Sequence, residues 1–198
     1  MKKLIYTIAL AVLSIISAQA QEVTAKLNEA ESSYSSGDLE NSRYALQQAL
    51  TGINQAIGKD ILALLPTKLN DMACNTKDDN VSGAAGVAGL YVNRSYGTEG
   101  KTAQLEIMSD SPLLTSMNAL LAMPMIMGNS DPNQKRIKVA GYKGMLQKET
   151  SDNKDSYNLQ LPINNTLLTL KVTGYSNEND VINMANSLPI DQIAKLAQ

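Results

Sequence analysis

Four methionines lie close together in one short part of the chain, and their side chains are the best candidates in this sequence for binding a ligand. They are Met117, Met123, Met125 and Met127, in a segment that reads NALLAMPMIMG over 118–128. Thioether sulfur is a soft ligand that selects Cu(I), whereas an apolar methionine-lined groove suits a lipid or a hydrophobic peptide. Methionine also fills irregular gaps in a protein core. Because the spacing is irregular and histidine is absent, the pattern favours packing, with the groove and then a Cu(I) site as alternatives.

Residue types that most enzymes need are missing or scattered. The sequence has no histidine, which excludes Ser-His-Asp and Cys-His nucleophiles, imidazole bases and ordinary zinc sites. Glu106 and Asp110 suit solvated or capping roles rather than a catalytic pair. Cys74 is the one cysteine, so it has no disulfide partner within the chain, and we expect a tolerated free thiol. The sequence therefore predicts a protein that is not an enzyme and that uses no cofactor or metal.

Two further classes of ligand are excluded by motif and charge. A Gly-Lys-Thr run at 100–102 suggests a phosphate loop, but Ser95 stands where that loop needs its first glycine. The following residues alternate like a strand, whereas a phosphate loop must lead into a helix. The formal net charge of −2 and the lack of a basic cluster give no electrostatic basis for binding nucleic acid or an anionic membrane.

The first twenty residues have the features of a secretory signal peptide. Lys2 and Lys3 precede an apolar run over 4–16, and Ala18-Gln19-Ala20 supplies the small residues of a cleavage site. The apolar run is too short for a comfortable membrane span. We therefore expect cleavage after Ala20 and a mature chain in the periplasm or the medium, without a stable membrane anchor.

Residues 21–66 are predicted to form a helical hairpin. Apolar residues recur at helical spacing before and after a Ser-Ser-Gly break at 35–37. Asp38 suits the N-cap of the second helix, and Pro66 is expected to end it. The stretch AESSYSSGDLENSRYALQQAL resembles the turn of a single tetratricopeptide unit. That resemblance implies a peptide- or protein-binding role, with Tyr34 and Tyr44 as candidate contacts, and the alternative is a hairpin docked on the following domain.

The rest of the chain is predicted to be a flexible linker and one α+β domain. Residues 67–86 are polar or rich in glycine and alanine, which is typical of a mobile loop. Over 87–198 the apolar period changes to two, and strands and helices follow in the order ββαββββα with a terminal helical turn. Short connections favour an antiparallel sheet with helices on one face, which is an α+β sandwich.

The C-terminal part also resembles a known family. The segments VAGYKGMLQKE and YNLQLPINNTLLTLKVTGYSNENDVINMANSLPID are similar to the second half of PsbP-like domains. In those domains a v-x-G strand, a strand hairpin and a last helix ending in "slpi" recur. The whole chain resembles a group of exported bacterial proteins that pair such a domain with a helical hairpin. The resemblance implies a non-catalytic fold and assigns no functional residues.

These expectations combine into one functional hypothesis and one alternative. We expect an exported binding protein that meets a protein partner in the cell envelope. The alternative is a carrier or sensor of a lipid-like ligand, held by the methionine-rich segment 113–127.

Overall fold

The computed structural model describes residues 20–83, 89–123, 133–151 and 154–197. Residues 1–19 of the predicted signal peptide, which spans 1–20, lie outside this part of the chain. The helices are α1 over residues 20–35, α2 (Leu39–Leu64), α3 (Leu113–Ala122), α4 (Glu178–Asn186) and α5 (Ile190–Leu196). The strands are β1 (Lys68–Leu69), β2 (Met72–Ala73), β3 (Asn80–Ser82), β4 (Tyr91–Thr98), β5 (Lys101–Ser109), β6 (Gln134–Val139), β7 (Tyr142–Ser151), β8 (Lys154–Ile163) and β9 (Thr166–Thr173). The α+β class and the N-terminal helical hairpin are confirmed.

The predicted boundaries of α2 are confirmed by local chemistry. The Asp38 carboxylate accepts a hydrogen bond from the Asn41 amide at 3.1 Å, as an N-cap side chain should. Gly37, in the preceding turn, has a φ of +83°, a conformation that glycine adopts without strain. At the other end Leu65 is extended, with φ −67° and ψ 140°. Proline at position 66 requires this of the residue before it.

Small side chains hold α1 and α2 together. Ala30, Ala45 and Ala49 are all at most 4 % exposed. Ser42 donates its hydroxyl to the Ala30 carbonyl at 2.9 Å, and Asn41 donates its amide to the Ser33 hydroxyl at 2.7 Å. A stripe of small residues lets two helices approach closely, so the larger apolar side chains of the hairpin are left to point elsewhere.

Seven strands form one antiparallel sheet in the order β3-β4-β5-β9-β8-β7-β6. Strands β5 and β9 join its two halves at the centre, where Leu105 lies opposite Leu170. The same row continues across the sheet through Leu159 and Leu146. These four leucines are at most 2 % exposed, and they form the centre of the main hydrophobic core.

Three helices cover that core face of the sheet. They are the C-terminal half of α2, α4 and α5. The buried side chains of these helices and of the residues just after α2 and α4 are Ile61, Leu65, Val181, Met184, Ala185, Leu188, Ile190 and Ile193.

Helix α3 lies against the opposite face of the sheet, so the predicted placement of the helices on one face is wrong for this helix. Met145 and Leu167 alternate with core residues and so point away from the main core, yet each is only 4 % exposed. Arg136, on the same face, donates from its guanidinium to the carbonyls of Leu120 and Met123 at the end of α3. The sheet therefore separates α3 from α2, and α3 covers a second, smaller apolar cluster.

The stretch that the sequence predicts as a linker is largely built into the fold. Residues 67–83 contain β1, β2, a 3₁₀ turn over Thr76–Asp78 and β3, which pairs with β4. Leu69 and Met72 are buried in the main core. Residues 84–86 of the predicted linker lie outside the part that the structure describes.

Candidate functional site

The hairpin carries large apolar side chains on its outside. Because small residues make the contact between α1 and α2, seven large ones remain 41–69 % exposed, and six of them, all except Tyr44, lie on one side of the hairpin. We call this set the hairpin face; it consists of Leu27, Tyr34, Leu39, Leu46, Leu50 and Ile53.

Helical geometry places these six side chains on one side of the hairpin. On α2 the apolar positions 39, 46, 50 and 53 are seven, four and three residues apart, which puts them in a single stripe. On α1 positions 27 and 34 are seven residues apart and also share one stripe. The two stripes open to the same side, because Val23 of α1 and Ile53 and Ile57 of α2 line one cleft of about 540 Å³. The hairpin face is therefore a continuous surface that spans both helices.

The sheet domain meets α2 mainly along a different stripe, and only Leu50 of the hairpin face borders a pocket that sheet-domain residues such as Gly89 and Leu196 also line. Gly58 lies so close to β3 and β4 that an added Cβ would stand 2.4 Å from a Val81 methyl. Asn54 donates its amide to the Gly89 carbonyl, and Ile61 is fully buried in the core. Since these contacts belong to the C-terminal half of α2, the tip of the hairpin projects beyond the described part of the sheet domain.

The structure separates the two tyrosines proposed as partner contacts. Tyr34 is 69 % exposed and belongs to the hairpin face. Tyr44 is 54 % exposed, but helical spacing turns it to the other side of α2, toward Lys26 on α1. There the Lys26 ammonium lies 2.7 Å from Glu29, which, with a smaller contribution from Tyr44, raises the pKa of the lysine. The two rings therefore cannot belong to one contact surface.

The methionine-rich segment divides between interior and surface. Met117 is 7 % exposed and lies with Leu114 on the buried side of α3. Met123 follows the end of that helix and is 49 % exposed. Met125 and Met127 lie outside the described residues. The structure thus shows a packing role for Met117 and brings no second methionine of the four beside it in the part that it describes.

A polar cluster of two exposed side chains, Asp71 and Lys101, and the buried Tyr175 lies at the β1–β2 end of the sheet. The Lys101 ammonium is 3.0 Å from an Asp71 oxygen and 4.7 Å from the centroid of the Tyr175 ring. Tyr175 donates its hydroxyl to Asp71, and this hydrogen bond, followed by that of Lys101, lowers the pKa of the carboxyl group. Each polar group has a hydrogen-bond or ion-pair partner within the cluster. The cluster therefore connects the β1–β2 hairpin to the end of β9.

A buried ion pair connects α2, β4 and the turn before β3. Arg94 is 7 % exposed and donates Nε and Nη2 to the two Asp79 oxygens at 2.9 and 2.6 Å. Its Nη1 donates to the Leu65 carbonyl at 3.2 Å. Nearby, burial raises the pKa of the fully buried Tyr96 to about 12. Cys74 is half-buried and forms an isolated β-bridge with Tyr96. These contacts hold the fold together.

Neither metal ligands nor membrane-spanning helices stand out in the described part of the chain. Over residues 20–83, 89–123, 133–151 and 154–197, no three His, Cys, Asp or Glu side chains are grouped as a metal site would need. Within the same ranges no helix combines the length and hydropathy of a membrane span. No protein family, no curated protein and no solved structure matches this chain.

Proposed function

We propose that this chain is an exported binding protein that recognises a protein partner through the hairpin face. The observation that supports this most directly is the continuous exposure of six large apolar side chains on two adjacent helices. Soluble monomers rarely expose apolar patches larger than a few hundred Å², and such patches commonly mark interaction sites.

The packing of the hairpin strengthens this argument. The contact between α1 and α2 does not need the side chains of the hairpin face, because alanine and serine residues and the packing of Val23 on Gly52 fill it. Four leucines and an isoleucine at the surface therefore contribute little to the fold of the monomer. A tyrosine on the same surface suits an interface, because its ring adds contact area while its hydroxyl stays solvated.

A binding role also agrees with the polar clusters. Asp71, Lys101 and Tyr175 satisfy one another at the surface, and Arg94 and Asp79 pair inside the protein. Groups engaged in this way serve the fold rather than a reaction. Together with the lack of histidine, this arrangement supports a non-catalytic function.

Site-specific photocrosslinking tests the proposal. A benzophenone amino acid placed at position 46 is expected to form an adduct of one defined mass in an envelope preparation of the host. The same probe at Gln48, which is exposed on another side of α2, is the matched control and should give no such adduct. Equal labelling from both positions, or no adduct from position 46, would contradict a binding role for the hairpin face.

The proposed location rests on the predicted signal sequence and has its own test. Exported protein should have the intact mass of a chain that begins at Gln21, because cleavage is expected after Ala20. Mass spectrometry of the periplasmic and medium fractions measures this directly. Recovery of the chain only from the cytosol, with residues 1–20 still attached, would overturn the prediction.

A further inference from the structure

We propose that the partner of the hairpin face is a second copy of this chain. The two hairpins would pack face to face about a two-fold axis parallel to their helices, with α1 of each copy lying on α2 of the other. This inference rests on the proposed function and narrows it to one partner.

The register of the hairpin makes its face complementary to itself. Ser33 lies beside Asn41, and Val23 lies beside Gly52, where an added Cβ would stand 2.7 Å from a valine methyl. A residue of α1 and a residue of α2 therefore lie at the same height along the hairpin axis when their numbers add up to about 75. The two-fold axis keeps each level and exchanges the helices. It brings Tyr34 onto Leu39 of the second copy and Leu27 onto Leu46 of the second copy.

Two unpaired charges mark the outer edges of the same surface. Glu31 lies on the edge of α1 away from α2, between Leu27 and Tyr34 in helical spacing. Arg43 lies on the edge of α2 away from α1, between Leu39 and Leu46. Both are exposed, and neither has an ion-pair partner among the described residues.

In the proposed dimer, each of these two charges has an ion-pair partner in the second copy. Glu31 and Arg43 of one chain lie at nearly the same level but at opposite edges of the hairpin face. Exchange of the helices places Glu31 of each copy opposite Arg43 of the other, and the two-fold axis forms this pair twice. A partner with a different sequence would need its own matching pattern, whereas a second copy supplies it automatically.

The size of the face suits a weak dimer. Residues 39–53 span about 21 Å at 1.5 Å per residue, and two helices side by side are about 20 Å wide. A face of this size on both copies has an area of about 840 Å², which is in the range of weak, transient interfaces. We therefore expect a reversible dimer with a dissociation constant in the micromolar range.

Sedimentation equilibrium of the mature chain, from about 1 to 200 µM, measures this association. The wild type should change from monomer to dimer across the range. Leu46→Lys should weaken the dimer at least about 50-fold, because it places a charge at the centre of the contact. Gln48→Lys, on another side of α2, should leave the dissociation constant within about twofold. Both positions are exposed in the monomer, so circular dichroism melting should be unchanged at the lowest concentrations, where the wild type is itself monomeric.

Charge exchange tests the two-fold arrangement itself. Glu31→Arg or Arg43→Glu alone should weaken the dimer about tenfold, because two attractive pairs become repulsive. The double variant rebuilds both pairs in reverse and should return to within about threefold of the wild type. Failure of the double variant to recover would overturn this geometry.

The outcomes separate this inference from the proposed function. A wild type that stays monomeric at every concentration overturns the second copy as the partner. In that case a photocrosslink from position 46 to a protein of different mass still supports the hairpin face as a binding surface. A crosslinked product with twice the mass of the chain supports the dimer.

Discussion

Replacing Asp79 by alanine is expected to lower the free energy of unfolding by about 3–5 kcal/mol. The reason is that the variant leaves the Arg94 guanidinium inside the protein without its anion. The two side chains are only 8 % and 14 % exposed, for Arg94 and Asp79 respectively, and are joined by two hydrogen bonds of 2.9 and 2.6 Å. Breaking such a pair costs far more than the pair contributes, because the remaining charge has no water to replace its partner.

The position of the ion pair adds to this effect. Arg94 also donates to the Leu65 carbonyl at the end of α2, so the same guanidinium fixes β4, the turn before β3 and the base of the hairpin. Urea unfolding measures the loss. Asp78→Ala is the matched control: this neighbouring carboxylate is exposed and accepts only a 3.2 Å hydrogen bond from Ser95. Its removal should change the free energy of unfolding by at most about 0.5 kcal/mol.

A double variant checks the physical cause. Asp79→Leu combined with Arg94→Met removes both charges and keeps apolar volume at the site. It should be more stable than Asp79→Ala alone, since no buried charge is left uncompensated. A loss below about 1 kcal/mol for Asp79→Ala would show that water reaches Arg94 and that the ion pair is not required.

Local signals made the ends of the hairpin helices predictable. The Asp38 cap and the proline at 66 each act on their immediate neighbours, so one sequence is enough to find them. Which side of each helix packs is a different question. The spacing of Leu39, Leu46 and Leu50 marks an apolar stripe, but the packed stripe is the one with alanine and serine at 42, 45 and 49. Periodicity shows that a stripe exists and does not show what covers it.

Long-range contacts explain what the sequence could not give for the sheet domain. The stretch 67–83 is polar, and its order depends on burial of Leu69 and Met72 and on the contact of Asp79 with Arg94, which comes fifteen positions later. The side of the sheet that α3 occupies depends on Met145 and Leu167. These are apolar residues at positions where alternation points to water, and only the strand register shows that they share one face.

The candidate site was only partly accessible from the sequence. A tyrosine next to a helical turn is a visible feature, and Tyr34 does lie on the hairpin face. Tyr44 looks equivalent in the sequence, but it lies on α2, after the chain has reversed direction. Its position along that helix turns its side chain away from the hairpin face. The matching of Glu31 with Arg43 depends on the register between two antiparallel helices, which follows from contacts such as that of Ser42 with Ala30.

The methionine-rich segment gives the second large expected effect, and it also distinguishes packing from ligand binding. Met117→Ala should lower the free energy of unfolding by about 2–5 kcal/mol, the usual cost of emptying a buried site. Met117 is 7 % exposed, and α3 presses it against the sheet face that carries Met145 and Leu167. Met117→Leu keeps volume and apolarity and should cost less than about 1.5 kcal/mol.

Met123→Ala provides the control within the same segment. Its side chain is 49 % exposed, so truncation should change the free energy of unfolding by at most about 0.5 kcal/mol. Urea unfolding compares the three variants, and native mass spectrometry of protein purified from its host reports any bound lipid or copper. A groove for a lipid-like ligand would instead show nearly unchanged stability at both positions and weaker ligand retention. A Cu(I) site would lose its metal on Met→Leu substitution, because only the sulfur is removed. Near-zero loss of stability for Met117→Ala would contradict the packing role, since a side chain enclosed between α3 and the sheet cannot be truncated without leaving a cavity.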